Sequence, residues 1–157
     1  RSSVIPSSIP LEVSIEKQLL SLYFGLNHCK EYRVSTSRFG VGHEVNSFKT
    51  PTGKFEIKQK IGDGEPLGTV FDGRKTKGIY NFKDQIKDDL ILTRILWLNG
   101  LEKHNKNTFD RYIYIHGTNH VNELGKPHSM GCIRMSNEDI IEIYNFLSLG
   151  SKVFIHH

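Results

Sequence analysis

The chain has 157 residues, 37% of them hydrophobic, with nine Phe, six Tyr and one Trp for bulk. That is enough for one domain with its own core and argues against a disulfide-stapled miniprotein. The formal net charge is +4 and its Lys and Arg residues are scattered, which favours a solvated surface over a nucleic-acid face; no apolar run approaches the ~20 residues of a membrane span.

Residues 1–13 carry Pro6, Pro10 and four Ser, and read as an extended, poorly ordered lead-in to a domain over 14–157. The chain opens on Arg1 with no visible signal peptide, so a removed or truncated leader is expected to be possible. The closing His156-His157 is either native or a tag remnant. Lys17 to Phe24 alternates, with Leu20, Leu22 and Phe24 on one face, as a half-buried strand does. A helix over Ser14 to Leu22 is the alternative, because Ile15, Leu19 and Leu22 also suit helical spacing. Gly25-Leu26-Asn27 signals a turn and Lys30 to Ser37 a return strand. Arg38 to Val45 is expected to be a loop. Thr50-Pro51-Thr52-Gly53 is a tight turn feeding a strand over Lys54 to Lys58. Lys60 to Gly78, with five glycines among charges, is expected to be irregular and to border a substrate cleft. Asp89 to Leu98 is rich in Ile and Leu, and Asn99-Gly100 after it reads as a hairpin turn.

Lys103 to Asn107 is a polar loop, and Arg111 to His116 a strand with Tyr112, Tyr114 and His116 on one face. Ser136 caps the one convincing helix. Ile140, Ile143, Tyr144 and Leu147 form its apolar stripe, and Gly150 is placed as its C-terminal cap. A short strand, Lys152 to His156, closes the chain. Many short strands, Gly-rich turns and one late helix indicate a mainly β domain, a β-sandwich with one α-helix near the C-terminus.

The chemistry concentrates between His116 and Met135. His116-Gly117 ends the alternating strand, and Cys132 sits in Ser129-Met130-Gly131-Cys132-Ile133-Arg134. A thiol needs a base to become a nucleophilic thiolate near neutral pH, and imidazole is the usual one. Taken singly, a Cys is most often a buried small side chain, a His a satisfied core or surface group, and an Arg a solvated charge. Gly131 lets the backbone turn sharply and a substrate approach closely, so that the N–H groups of Met130, Gly131 and Cys132 could converge on an oxyanion. The other cysteine, Cys29, is read as a structural residue or a free thiol. Were the protein exported, a Cys29–Cys132 disulfide would be chemically possible and would remove the nucleophile.

Together these residues resemble the L,D-transpeptidase catalytic domain (YkuD-type), whose motif is His-Gly, a variable loop, then Ser-His-Gly-Cys, an apolar residue and often Arg. The motif runs through His116, Gly117, Ser129, Gly131, Cys132, Ile133 and Arg134, and the turn at Thr50 to Gly53 resembles the family's upstream signature. Met130 stands where the family most often has His, which puts any role of that His side chain in doubt. The resemblance implies a β-sandwich fold, Cys132 as nucleophile and His116 as base, oriented by the Gly117 carbonyl. It implies Arg134 at the site, lowering the thiol pKa or binding a substrate carboxylate, with Ser129 and Thr118 as polar lining. It further implies acyl transfer from the stem peptides of peptidoglycan to an amine, giving a 3→3 cross-link or an anchored protein. Transfer to water would instead give an L,D-carboxypeptidase. Carbapenem-type inhibitors, a periplasmic or wall-associated location, a monomer and no cofactor complete that expectation. Two alternatives from other classes are a non-catalytic wall-binding module and a zinc site built from His116, His120, His128 and Cys132, whose spacing is compatible with metal.

Overall fold

The computed structural model describes residues 9–25 and 27–157. The longest strand explains much of it. Ile91–Gly100 (β7) reads ILTRILWLNG, a near-continuous apolar run of the kind that is buried on both faces, and all of Leu92 to Leu98 is buried. Around it run Leu11–Ser14 (β1), Leu19–Tyr23 (β2), Cys29–Ser35 (β3), Gly53–Ile61 (β4), Thr69–Asp72 (β5), Lys75–Ile79 (β6), Tyr114–Gly117 (β8), Ile133–Met135 (β9) and Lys152–His156 (β10), with one α-helix among the described residues, Asn137–Phe146 (α1), between β9 and β10. The hydrogen-bonded order is β4-β10-β1-β2-β3-β9-β8-β7-β5-β6, and β4 also pairs with β7. That extra pairing closes eight strands on themselves and leaves the β5–β6 hairpin attached along β7. The result is a mainly β sandwich with barrel-like closure, as expected from sequence, and closure removes most exposed sheet edges.

The main core holds Leu11, Val13, Leu20, Leu22, Phe55, Leu96, Leu98, Ile115, Ile133 and Met135 together with the stripe Ile140, Ile143, Tyr144 and Leu147 of α1. Each such aliphatic burial contributes roughly 1.5–3 kcal/mol. Ser136 caps α1 as expected, its Oγ accepting from Asp139 N at 3.1 Å. Asn137, the first helical residue, accepts from Thr93 Oγ1 (2.6 Å) and donates to Thr118 O (2.9 Å). The helix start is therefore riveted to a bulge in β7, where Thr93 takes φ +77, and to the end of β8.

Several local expectations change. β1 already begins at Leu11, inside the segment read as lead-in, and Leu11 and Val13 are fully buried. Ser14 to Leu22 is not helical: the alternating pattern wins and β2 forms after a turn at 15–18. Of the expected turn Gly25-Leu26-Asn27, Leu26 lies outside the described residues. The segment 60–78 is not irregular throughout, since β5 and β6 form a hairpin across a two-residue turn, Gly73-Arg74, with φ +56 and +67. Asn99-Gly100 is not a hairpin turn; both residues end β7, paired with Glu56 and Phe55 of β4. Gly100 serves close approach instead, because a Cβ there would lie 1.8 Å from the Asn105 carbonyl oxygen. The strand expected from Arg111 starts at Tyr114, after a turn in which Tyr112 takes φ +58. Gly150 does not cap α1, which ends at Phe146 with Leu147 as its C-cap; the Gly150 N–H bonds Ile57 O in the connection to β10.

Candidate active site

β8 and β9 lie parallel, with Ile115 opposite Ile133 and His116 opposite Arg134. Ile115 and Ile133 point into the main core, so alternation sends Tyr114, His116, Cys132 and Arg134 to the other face. There Cys132 packs against a second apolar cluster of Phe71, Ile95, Trp97 and Tyr114, with Phe109 stacked on Trp97 (centroids 4.0 Å apart). The topology thus brings His116 and Cys132 to one face of adjacent strands.

His116 is buried, and its Nδ1 lies 2.6 Å from the Gly117 carbonyl oxygen. A carbonyl can only accept, so Nδ1 carries the proton and Nε2 is left with a free lone pair. Gly117 is needed there: a Cβ would meet Asn137 Oδ1 at 2.4 Å and Leu92 O at 2.7 Å. Burial lowers the pKa of His116, while the Gly117 bond and Asp89 act the other way. Burial also pushes the Cys132 thiol up to about 11. The Tyr114 N–H at 3.3 Å from Sγ lowers it, Asp89 raises it, and Arg111 and Arg134 lower it. The Cys132 Sγ–H in turn reaches Tyr112 O at 3.4 Å. Both shifts favour the uncharged forms, thiol and imidazole.

The loop before Cys132 is set by two hydroxyls. Ser129 Oγ donates to Cys132 O (2.7 Å) and accepts from Gly131 N (3.2 Å). Thr50 Oγ1, from the turn singled out in the sequence, donates to Gly131 O (2.9 Å) and accepts from Ser37 N (3.0 Å). Gly131 takes φ +124, open to glycine. Of the three expected oxyanion donors, the Gly131 N–H is thus occupied, whereas those of Met130 and Cys132 have no acceptor among the described residues. Thr118 is buried, its Oγ1 accepting from His120 N (2.9 Å). Ser129 and Thr118 therefore shape loops and do not line a cleft. Met130 is exposed, as are Phe39 and Phe48, whose rings tilt together with centroids 6.2 Å apart.

Arg134 departs most from expectation. Its side chain is 1% exposed, and the guanidinium reaches Glu123 (2.7 Å), Asp89 (3.2 Å), Ser35 Oγ (2.9 Å) and His120 Nδ1 (3.1 Å). Those partners take both terminal nitrogens, leaving neither for a substrate carboxylate. The residues of the zinc alternative go separate ways, His116 to Gly117 O, His120 to Arg134 and His128 to the surface; among the described residues no three His, Cys, Asp or Glu side chains cluster as metal ligands do. Cys29 and Cys132 are both free thiols, and Cys29 is exposed.

A family model for the L,D-transpeptidase catalytic domain (YkuD) matches residues 11–155. The chain belongs to that family. A protein of Bacillus licheniformis named as L,D-transpeptidase YkuD is 46% identical over 153 residues, 96% of this chain and 68% of the relative. Its Bacillus subtilis counterpart is 26% identical over 154 residues, 96% and 69% respectively. Among solved structures, an L,D-transpeptidase from Mycobacterium smegmatis superposes with TM-score 0.59 at 15% identity, covering 94% of this chain and 58% of that one. L,D-transpeptidase 3 from Mycobacterium tuberculosis, in complex with a faropenem-derived adduct, gives 0.58 at 16%, covering 94% and 59%. The chain spans about three fifths of those solved chains, and at such identities the likeness is one of fold.

Within an L,D-transpeptidase domain, an acyltransferase scaffold, four residues matter that sequence reading passed over. Tyr114 offers its N–H to the thiol, Asp89 bears electrostatically on both Cys132 and His116, and Asn137 locks the His-Gly corner. Arg111 bonds Lys49 O (2.6 Å) and Gly42 O (3.2 Å), tying the 42–49 loop beside Gly131. No short-range signal marks these roles, because each arises from contacts distant in sequence.

Proposed function

We propose that the chain is a cysteine-dependent L,D-transpeptidase acting on peptidoglycan stem peptides. The observation that carries this reading is the His116 Nδ1 bond to the Gly117 carbonyl, which leaves Nε2 as a base on the face that also bears Cys132. His116 takes the Cys132 proton as sulfur attacks the carbonyl carbon of the bond before the terminal D-Ala of a tetrapeptide stem. With the thiol raised to about 11 and His116 lowered, proton transfer accompanies attack and does not precede it. The developing oxyanion is met by the N–H groups of Cys132 and Met130. The C–N bond breaks, the amine of D-Ala leaves with the proton from His116, and a thioester remains on Cys132. An amine of a second stem, or of a protein, then attacks the thioester and regenerates the thiol. Water as acceptor makes the same first half-reaction an L,D-carboxypeptidase.

Gly117 orients the base, while Ser129 and Thr118 hold the surrounding loops. Arg134 is assigned a positioning role: it anchors Asp89 and Glu123 and adds positive potential near the thiol. This chemistry calls for no metal or organic cofactor. Its substrate puts the working site outside the cytoplasm, and among the described residues no helix is long and apolar enough to cross a membrane. The test is product analysis with a tetrapeptide stem. Wild type should release D-Ala and form cross-linked or hydrolysed product, and Cys132→Ala should form neither; near-normal turnover in Cys132→Ala would defeat the mechanism.

A further inference from the structure

Two guanidiniums, Arg111 and Arg134, act on the Cys132 thiol directly and a third, Arg74, is linked to it through Tyr114; they differ in what they have left to give. Arg134 has both terminal nitrogens taken by Asp89, Glu123, Ser35 and His120, and its Nε is buried. Arg111 is caged by the carbonyls of Gly42 and Lys49 and by Ser47 Oγ (3.4 Å). Arg74 has one hydrogen-bond partner among the described residues, the neutral phenol of Tyr114, at 3.1 Å from Nη1. It pairs with no carboxylate there, and Asp72, two residues away, is taken by Lys77 (3.1 Å).

Arg74 is nevertheless held in place. Its guanidinium lies over the rings of Trp97 (4.8 Å to the centroid) and Tyr112 (5.2 Å), and the residue is only half-exposed. It occupies the second position of the β5–β6 turn at φ +67, a conformation that favours Gly or Asn. The turn thus carries a long cation where its own geometry would prefer a small residue. Tyr114 links that cation to the chemistry, its N–H meeting Cys132 Sγ at 3.3 Å and its hydroxyl meeting Arg74. A guanidinium stacked on two rings, partly exposed and with most of its donors free, one tyrosine length from the nucleophile, suits a carboxylate.

We infer that Arg74 binds the free terminal carboxylate of the donor peptide and so selects acid-ended over capped stems. The inference rests on the L,D-transpeptidase reading above. In the donor that carboxylate belongs to the leaving residue, one Cα from the scissile nitrogen, so a cation one tyrosine away from the thiol is suitably placed to fix the register of the scissile bond. The binding is electrostatic and bidentate, with no bond made or broken at Arg74.

The experiment compares a tetrapeptide stem ending in a free carboxylate with its carboxamide, for wild type, Arg74→Gln and Arg74→Lys, with thermal unfolding midpoints as a fold control. Wild type should favour the acid on the order of tenfold or more in kcat/KM, the typical worth of a charged hydrogen bond, and mainly through KM. Arg74→Gln should lose most of that preference by falling on the acid alone, and Arg74→Lys should retain part of it. A purely structural Arg74 would lower both substrates equally, so an unchanged acid-to-amide ratio in Arg74→Gln overturns the inference while leaving the enzyme reading intact. If Arg74→Gln does not fold, an unchanged ratio in Arg74→Lys overturns it, because an ammonium cannot reproduce the two-point grip. If wild type turns over neither peptide, the enzyme reading fails and this inference with it.

Discussion

At Cys132 and His116, burial outweighs every nearby charge. The thiol is pushed up to about 11 and the imidazole down, so neither is ionised near neutrality. Iodoacetamide near neutral pH should therefore alkylate the exposed Cys29 well before Cys132, as peptide mapping would report; faster labelling of Cys132 would mean a preformed thiolate. Peptide turnover should persist as pH falls through 6.5 and drop only below the depressed pKa of His116, because the base works unprotonated and protonation disables it. His116→Ala should cost about 10²–10⁴ in acylation rate. This pair was legible because its neighbours, Gly117, Ser129, Gly131 and Arg134, fall in one short stretch in family order. The setting of Arg134 was not, because its carboxylates, Asp89 and Glu123, lie 45 and 11 residues upstream.

Among the elements, the His-Gly corner depends on the start of α1. Asn137 binds Thr93 and Thr118 at once and leaves no room for a Cβ on Gly117. Gly117→Ala should destabilise the fold by about 1–3 kcal/mol through overpacking, and lose more acylation than that stability loss explains, because the carbonyl that orients His116 must move. Thermal unfolding and carbapenem acylation, measured on the same variant, separate the two effects; unchanged acylation would contradict the orienting role. α1 itself was readable, since its cap and stripe are local signals. Asn99-Gly100 misled because an Asn-Gly pair predicts a turn only when nothing else needs a glycine, and here the Asn105 carbonyl does. The β5–β6 hairpin was hidden by glycines and charges because its strands are short and β6 is exposed throughout, with no apolar alternation to reveal them.

Across the whole molecule, the chain closes eight strands and lays the site on the outer face of β8 and β9, away from the main core. Arg134 links that face to β3, to the 118–123 loop and to Asp89 before β7. Arg134→Met should cost roughly 2–4 kcal/mol by unfolding, since it strands two carboxylates that keep about 30% exposure and so recover part of their hydration. A neutral effect would show that the network is dispensable. The central claim, that Cys132 is an acylatable nucleophile, is tested most directly by intact-protein mass spectrometry after incubation with a carbapenem. Wild type should gain one adduct mass and Cys132→Ala none. An unmodified reduced wild type, or an adduct that survives in Cys132→Ala, would contradict it.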